Sequence, residues 1–222
     1  MGSPISGKPG VIGPLGDGSP AEVGVDAFGS LLVAEKGPKY LEWLMRGYIF
    51  VAQTGTAAEV PKNDALTNSP SLWNPAGSEK LVVPLRVTAA TTAEGTVIIH
   101  TFTLSYLASA GSSVLTGAPV ATWTNIPGVN CLIGSGYAAK AKWSHGTCTY
   151  TANPTILMGL DFGLWTDGTP AHSLPVSGAS YDFDGELGLP PGALISMGAT
   201  AASSTTYVIS MVWAELPLPA SI

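Results

Sequence analysis

In the stretch SHGTC, His145 stands three residues ahead of Cys148, close enough for an imidazole to activate a thiol. Such a pair becomes a nucleophile only when a third group orients the imidazole and donors await the oxyanion. The surrounding residues supply neither, so no catalysis is expected here. The stretch YDFDGE offers three carboxylates, Asp182, Asp184 and Glu186, with Gly185 at a turn. Alternate carboxylates on a strand share a face and suit Ca²⁺ chemistry. The twelve-residue calcium-loop pattern is absent, however, so a solvated acidic edge that discourages strand pairing is the expectation. Asp161 and Asp167 are too far apart in sequence to be assigned as the carboxylate pair of a glycoside hydrolase. His100 lies between Ile98 and Phe102 on an apolar strand face and reads as a hydrogen-bonded core or interface imidazole. GSGYAAK, residues 134–140, lacks both the dinucleotide fingerprint and the P-loop and reads as a turn. No enzyme activity, metal site or cofactor is expected.

Six tryptophans remain. Trp123, Trp143 and Trp165 fall in or near loops, where exposed indoles can form a platform for stacking sugars. The other reading of the same residues is that they anchor the core and subunit contacts.

The elements that would carry these residues are strands. Twenty-seven glycines and 18 prolines in 222 residues make the chain turn-rich, which favours many short strands over long helices. Only 11% of residues are charged, against roughly 25% in an ordinary soluble domain. The nine basic residues are scattered, and the net charge is −6. Neither nucleic acid nor an anionic membrane surface is therefore an expected partner. MGSPISGKPG has no apolar segment of signal-peptide type, and no 18-residue apolar run suggests a membrane span. Cys131 and Cys148, 17 residues apart, read as two reduced, partly buried thiols, with a disulfide as the alternative.

Residues 1–36 read as an extended Gly/Pro-rich arm, with Gly7, Gly10, Gly13 and Gly16 at a period of three. Its later part alternates Val23, Val25, Phe28, Leu31 and Val33, a pattern suited to lying against a neighbour. Residues 37–222 read as one domain. GPKYLEWLMRG predicts a helix of about two turns that stops at Gly47 and packs Leu41, Leu44 and Met45 on the domain.

About eight strands follow. In LVVPLRVTA, the alternation turns Leu81, Val83, Leu85 and Val87 inward, and Pro84 demands an edge or a bulge. TILMGLDFGLW groups Ile156, Met158, Leu160, Phe162 and Leu164. TTYVISMVWAELPLP turns Tyr207, Ile209, Met211 and Trp213 one way and Val208, Ser210, Val212 and Ala214 the other. That second face carries no charge before Glu215, so it reads as a face covered by another subunit. Two four-stranded antiparallel sheets of jelly-roll type accommodate the set, giving an all-β sandwich with one short helix.

Three short motifs carry a family resemblance. They are the turn Asn74, Pro75, Gly77, Ser78 ahead of a hydrophobic strand, then Pro190, Pro191, Gly192 ahead of another, then the closing Trp213, Glu215, Pro217. In this layout the chain resembles the jelly-roll virion proteins of tailed bacteriophages, namely capsid decoration (cement) proteins and related head or tail appendage domains. Glu79 departs from the pattern, which keeps a small residue there. The resemblance implies a trimer seated on, or projecting from, a capsid, with sister subunits and the major capsid protein as partners and the virion surface as its place. The function expected is non-covalent stabilisation of a phage head. The alternative is a virion appendage or lectin-like module that binds host glycan through Trp123, Trp143 and Trp165.

Overall fold

Two-residue alternation broken by Gly- and Pro-bearing turns is resolved here into strands over more than half of the described residues. The structure, a computed structural model, describes residues 39–54, 58–59, 69–93, 100–107, 125–144, 154–164, 179–200 and 206–218. The chain divides into two units, Met1–Leu41 and Glu42–Ile222, and the sandwich belongs to the second. Val23, Val25, Phe28, Leu31 and Val33 lie outside the described residues, with the rest of the expected arm.

A single helical turn, α1 (Leu41–Met45), precedes strands β1 (Ile49–Gln53), β2 (Ala58–Glu59), β3 (Ser71–Trp73), β4 (Lys80–Ala93), β5 (His100–Leu107) and β6 (Asn125–Ile126). Then come β7 (Val129–Asn130), β8 (Lys142–Ser144), β9 (Thr155–Leu164), β10 (Ala179–Asp182), β11 (Leu194–Ala199) and β12 (Thr206–Pro217). They form two antiparallel sheets. Sheet one runs β10-β4-β12-β1-β7, with β2 also paired to β12, and sheet two runs β6-β8-β3-β11-β5-β9. The eight expected strands are β1, β3, β4, β5, β9, β10, β11 and β12. The remaining four are two- or three-residue pieces that widen each sheet. Sequence neighbours alternate between sheets in matching order: β10-β4-β12-β1 in one corresponds to β9-β5-β11-β3 in the other.

The core is the space between the sheets. Phe50, Val87, Ile209, Met211 and Trp213 enter it from sheet one, and Leu72, Phe102, Leu104, Trp143, Ile195 and Met197 from sheet two. Phe102 and Tyr207 meet edge to face across the gap, with ring centroids 5.1 Å apart. Each fully buried side chain of this size contributes about 1.5–3 kcal/mol relative to exposure.

Two bulges redirect the alternation read from the sequence. Arg86 pairs with Val212 and Pro84 with Trp213, leaving Leu85 as an extra residue in β4. Pro84 is thus accommodated by a bulge in an interior strand. An extra residue inverts the parity beyond it. Val82, expected outward, therefore joins the core with Val87, while Val83 and Leu85 are buried outside the core cluster. In β9, Leu104 pairs with Met158 and Ser105 with Ile156, so Leu157 is the bulged residue. Leu160 stays in the core, but Ile156 is 55% exposed instead of joining it.

The helix is shorter than its pattern suggests and buries no residue. Gly47, at φ +70°, ends it: its N–H donates to Leu44 O and the next N–H, of Tyr48, donates to Trp43 O. Those two bonds are the αL closure that glycine favours. Met45 and Leu41 are exposed, so the expected packed face is not formed by them.

Candidate functional site

Strand β12 lies between β4 and β1, so its outward residues head cross-strand rows. One row reads Val129, Val51, Val212, Arg86, Asp182, a second Gln53, Ser210, Thr88, Ser180, and a third joins Val208 to Ala90. Val208, Ser210, Val212, Val51 and Thr88 are half-buried, while Ala90 and Val129 are exposed. The charge in these rows is confined to the β4–β10 border, where Arg86 Nε and Nη2 bind both carboxylate oxygens of Asp182. Small, uncharged side chains make the remainder of the face a surface that another backbone can approach closely. Ala214 differs from the other three expected interface residues: it is fully buried beside Ile49 and Val83. Glu215 belongs to the opposite side. It continues the Tyr207–Trp213 parity, and its carboxylate is buried.

That carboxylate is a fastening point. Its oxygens accept hydrogen bonds from Lys140 N at 2.9 Å, Ala141 N at 2.8 Å and Trp213 Nε1 at 3.1 Å. Through them the loop between β7 and β8 is fastened to the end of β12. The other end of that loop is held by Asn130, whose Nδ2 donates to Gly47 O at 2.6 Å and whose Oδ1 accepts from Leu132 N at 2.8 Å. Gly128 lies against the Trp213 ring and Gly47 against the Tyr137 ring so closely that a Cβ at either would sit 2.7 Å and 2.4 Å from ring carbon. Between these ties, Leu132 O accepts from Ser135 N and Gly134 takes φ +85°, the requirement of a type II turn. The turn displays Ile133, 83% exposed, with Val129 at 58% and Tyr137 at 59% nearby. Residues 124–139 contain no charge. From the sequence this loop reads only as a turn. The available signal was the uncharged run with Gly134 and Gly136 beside bulky apolar residues.

A second apolar feature lies at the β5–β9 side of sheet two. Tyr106, Leu157, Leu187, Pro190, Pro191 and Ile195, with their neighbours, line an open cleft of about 470 Å³. One wall is the stretch from Leu187 to Ala193, where Pro191 and Gly192, at φ +91°, form a turn closed by Ala193 N donating to Pro190 O. Asn74 holds this wall: its Nδ2 donates to Leu189 O at 2.8 Å and Lys80 O at 2.7 Å, and its backbone bonds to Ala193 and Gly192. The first two resemblance motifs are thus one junction, and Trp213 with Glu215 is another. Glu79 occupies the left-handed region, at φ +56°.

The remaining candidates separate. Trp143 is fully buried in β8, so it offers no ring face to a sugar, and Trp123 and Trp165 lie outside the described residues. His145, Cys148 and Asp167 also lie outside them, as do the side chains of His100 and Asp161. Asp182, at the end of β10, and Asp184 and Glu186, in the turn beyond it, are exposed, and no group of three potential metal ligands occurs among the described residues. Cys131 is a free thiol whose pKa is pushed up by burial, which disfavours the reactive thiolate. No helix among the described residues is long and apolar enough to cross a membrane. Compared with known proteins, the chain matches no family model and no curated sequence.

Proposed function

We propose that this chain is a virion structural protein of the capsid decoration type, a jelly-roll subunit that assembles as a trimer and binds the major capsid protein without covalent chemistry. The observation that carries this reading is the outer face of sheet one. Val208, Ser210, Val212, Val51, Thr88 and Ala90 form a contiguous patch of small side chains with charge only at its border. Depletion of charge is the compositional mark of an interface centre. The low charge of the whole chain supports the same reading, since little remains to solvate a large free surface. The matching strand order in the two sheets supports the jelly-roll part, because a long antiparallel ribbon folded across two layers leaves consecutive strands facing one another.

Light scattering behind size exclusion tests the assembly. Three subunits are expected for the native chain, and one for Val212→Lys, which puts an ammonium in the patch. A native chain that stays monomeric at every concentration, or a Val212→Lys variant of unchanged mass, overturns the role of this face. Co-sedimentation with heads built from the major capsid protein of the same genome tests the other half. Binding supports decoration, and its absence removes it.

A further inference from the structure

We infer that copies of this chain join head to tail, with the Ile133–Tyr137 loop of one copy seated in the cleft between Tyr106 and Pro191 of the next. The inference rests on the oligomeric reading above and adds a contact distinct from the sheet-one face. Its first support is the loop's construction. A buried carboxylate, a buried amide and the seat of the Tyr137 ring on Gly47 hold the loop in one shape, yet Ile133 and Tyr137 remain exposed. Fixing Ile133 at 83% exposure does nothing for the core of its own chain. It does remove the ordering cost of inserting that side chain elsewhere.

The second support is the receiving site. The cleft lining carries no charged side chain, and its volume of about 470 Å³ falls in the range of pockets that hold apolar groups. Leu157, the bulged residue of β9, stands partly exposed in its wall next to Ile156.

Placement and charge favour a second copy as the occupant. Loop and cleft lie at the same end of the sandwich, because Glu215, which holds the loop, pairs with Val82, and Val82 bridges to Leu189 in the cleft wall. They lie at opposite lateral sides, the loop beside β7 and β8 and the cleft beside β5 and β9. Side-by-side copies related by a rotation therefore bring one to the other, a heterologous contact that closes into a ring. At the rim, exposed Lys140 closes the loop, and exposed Glu186 directly precedes Leu187 of the cleft, so the two sides are complementary in charge.

Two surface variants and their mixture test this contact. Ile133→Asp disables the loop and Leu157→Asp the cleft, and circular dichroism melts check that each folds. By light scattering, each variant alone is expected to fall from the native mass to one subunit. Their equimolar mixture is expected to give two subunits, since one intact loop and one intact cleft remain. Variants that keep the native mass, or a mixture that stays monomeric, overturn the head-to-tail contact. If only Val212→Lys dissociates the native species, the sheet-one reading stands and this inference falls. If only the Ile133 and Leu157 variants do, the inference stands and that reading falls.

Discussion

Two loops in this molecule are each tied through a buried polar side chain to a segment distant in sequence, and they are used in opposite ways. Asn74 ties the turn after β3 to the Leu187–Ala193 stretch by donating to two carbonyls. Leu189 and Ala193 are buried as a result and extend the core. Glu215 ties the β7–β8 loop to β12 by accepting from three N–H groups, and there Val129, Ile133 and Tyr137 stay outside. The first junction closes the fold over its own apolar residues. The second uses a buried carboxylate to hold apolar residues in water, the arrangement on which the proposed head-to-tail contact rests.

The sharpest way to break the contrast is to remove the charge. Glu215→Ala leaves Lys140 N, Ala141 N and Trp213 Nε1 without their acceptor, a loss of about 3–5 kcal/mol, since each buried N–H left unsatisfied costs about 1–3 kcal/mol. A melting temperature lower by roughly 6–20 °C is expected for a domain of this size. Hydrogen exchange should rise first at residues 131–141 and remain native at 187–193. Equal exchange in both loops would mean that the junctions are not independent.

Asn74→Ala is the mirror experiment, with a smaller expected loss of about 2–3 kcal/mol, because two carbonyls rather than three N–H groups are left unpaired. Its exchange should rise at 187–193 instead, and the cleft should lose its wall. Chemical denaturation with both variants and the double variant measures whether the losses add, as separate junctions require.

Glu79→Gly is expected to act the other way. It relieves a side chain from the left-handed region at φ +56° and should stabilise the Asn74 side by about 1 kcal/mol, raising the melting temperature by a few degrees. An unchanged melting temperature would show that Glu79 meets no strain there. The smallest effect concerns Cys131, next to Asn130 in the fastened loop. Burial raises its pKa, so the unfolded chain loses that proton first. Stability should therefore be complete below about pH 8.5 and decline slightly as the pH rises further. Thiol alkylation of the native chain should lag behind that of unfolded chain until the pH passes the same range.

The eight main strands were legible because alternation and turn residues are local, as in Tyr207–Trp213 with its inward bulk, or Pro191–Gly192 with its turn. The stop at Gly47 was legible for the same reason. What failed was parity across a bulge. Pro84 announces an irregularity, but only the partner strand decides that Leu85 is the extra residue and that Val82 turns inward. Ile156 left the core through the same cause at Leu157. Trp143 looked like a loop indole because three-residue β8 has too few neighbours in sequence to declare itself.

Sequence alone determined the class of this protein: a charge-poor, turn-rich, alternating chain can hide its apolar surface only by layering sheets. Local residue chemistry also determined the closing strand and the three short turn and strand-end motifs. Only tertiary structure decided what those motifs do. Asn74 meets Leu189 across 115 residues and Glu215 meets Lys140 across 75, distances over which no local pattern can select a hydrogen-bond partner. Tertiary structure likewise decided that Ala214, beside Ile49 and Val83, is buried while Val212 on the same face of the strand is only half-buried, because burial depends on neighbours that the strand's own alternation does not specify.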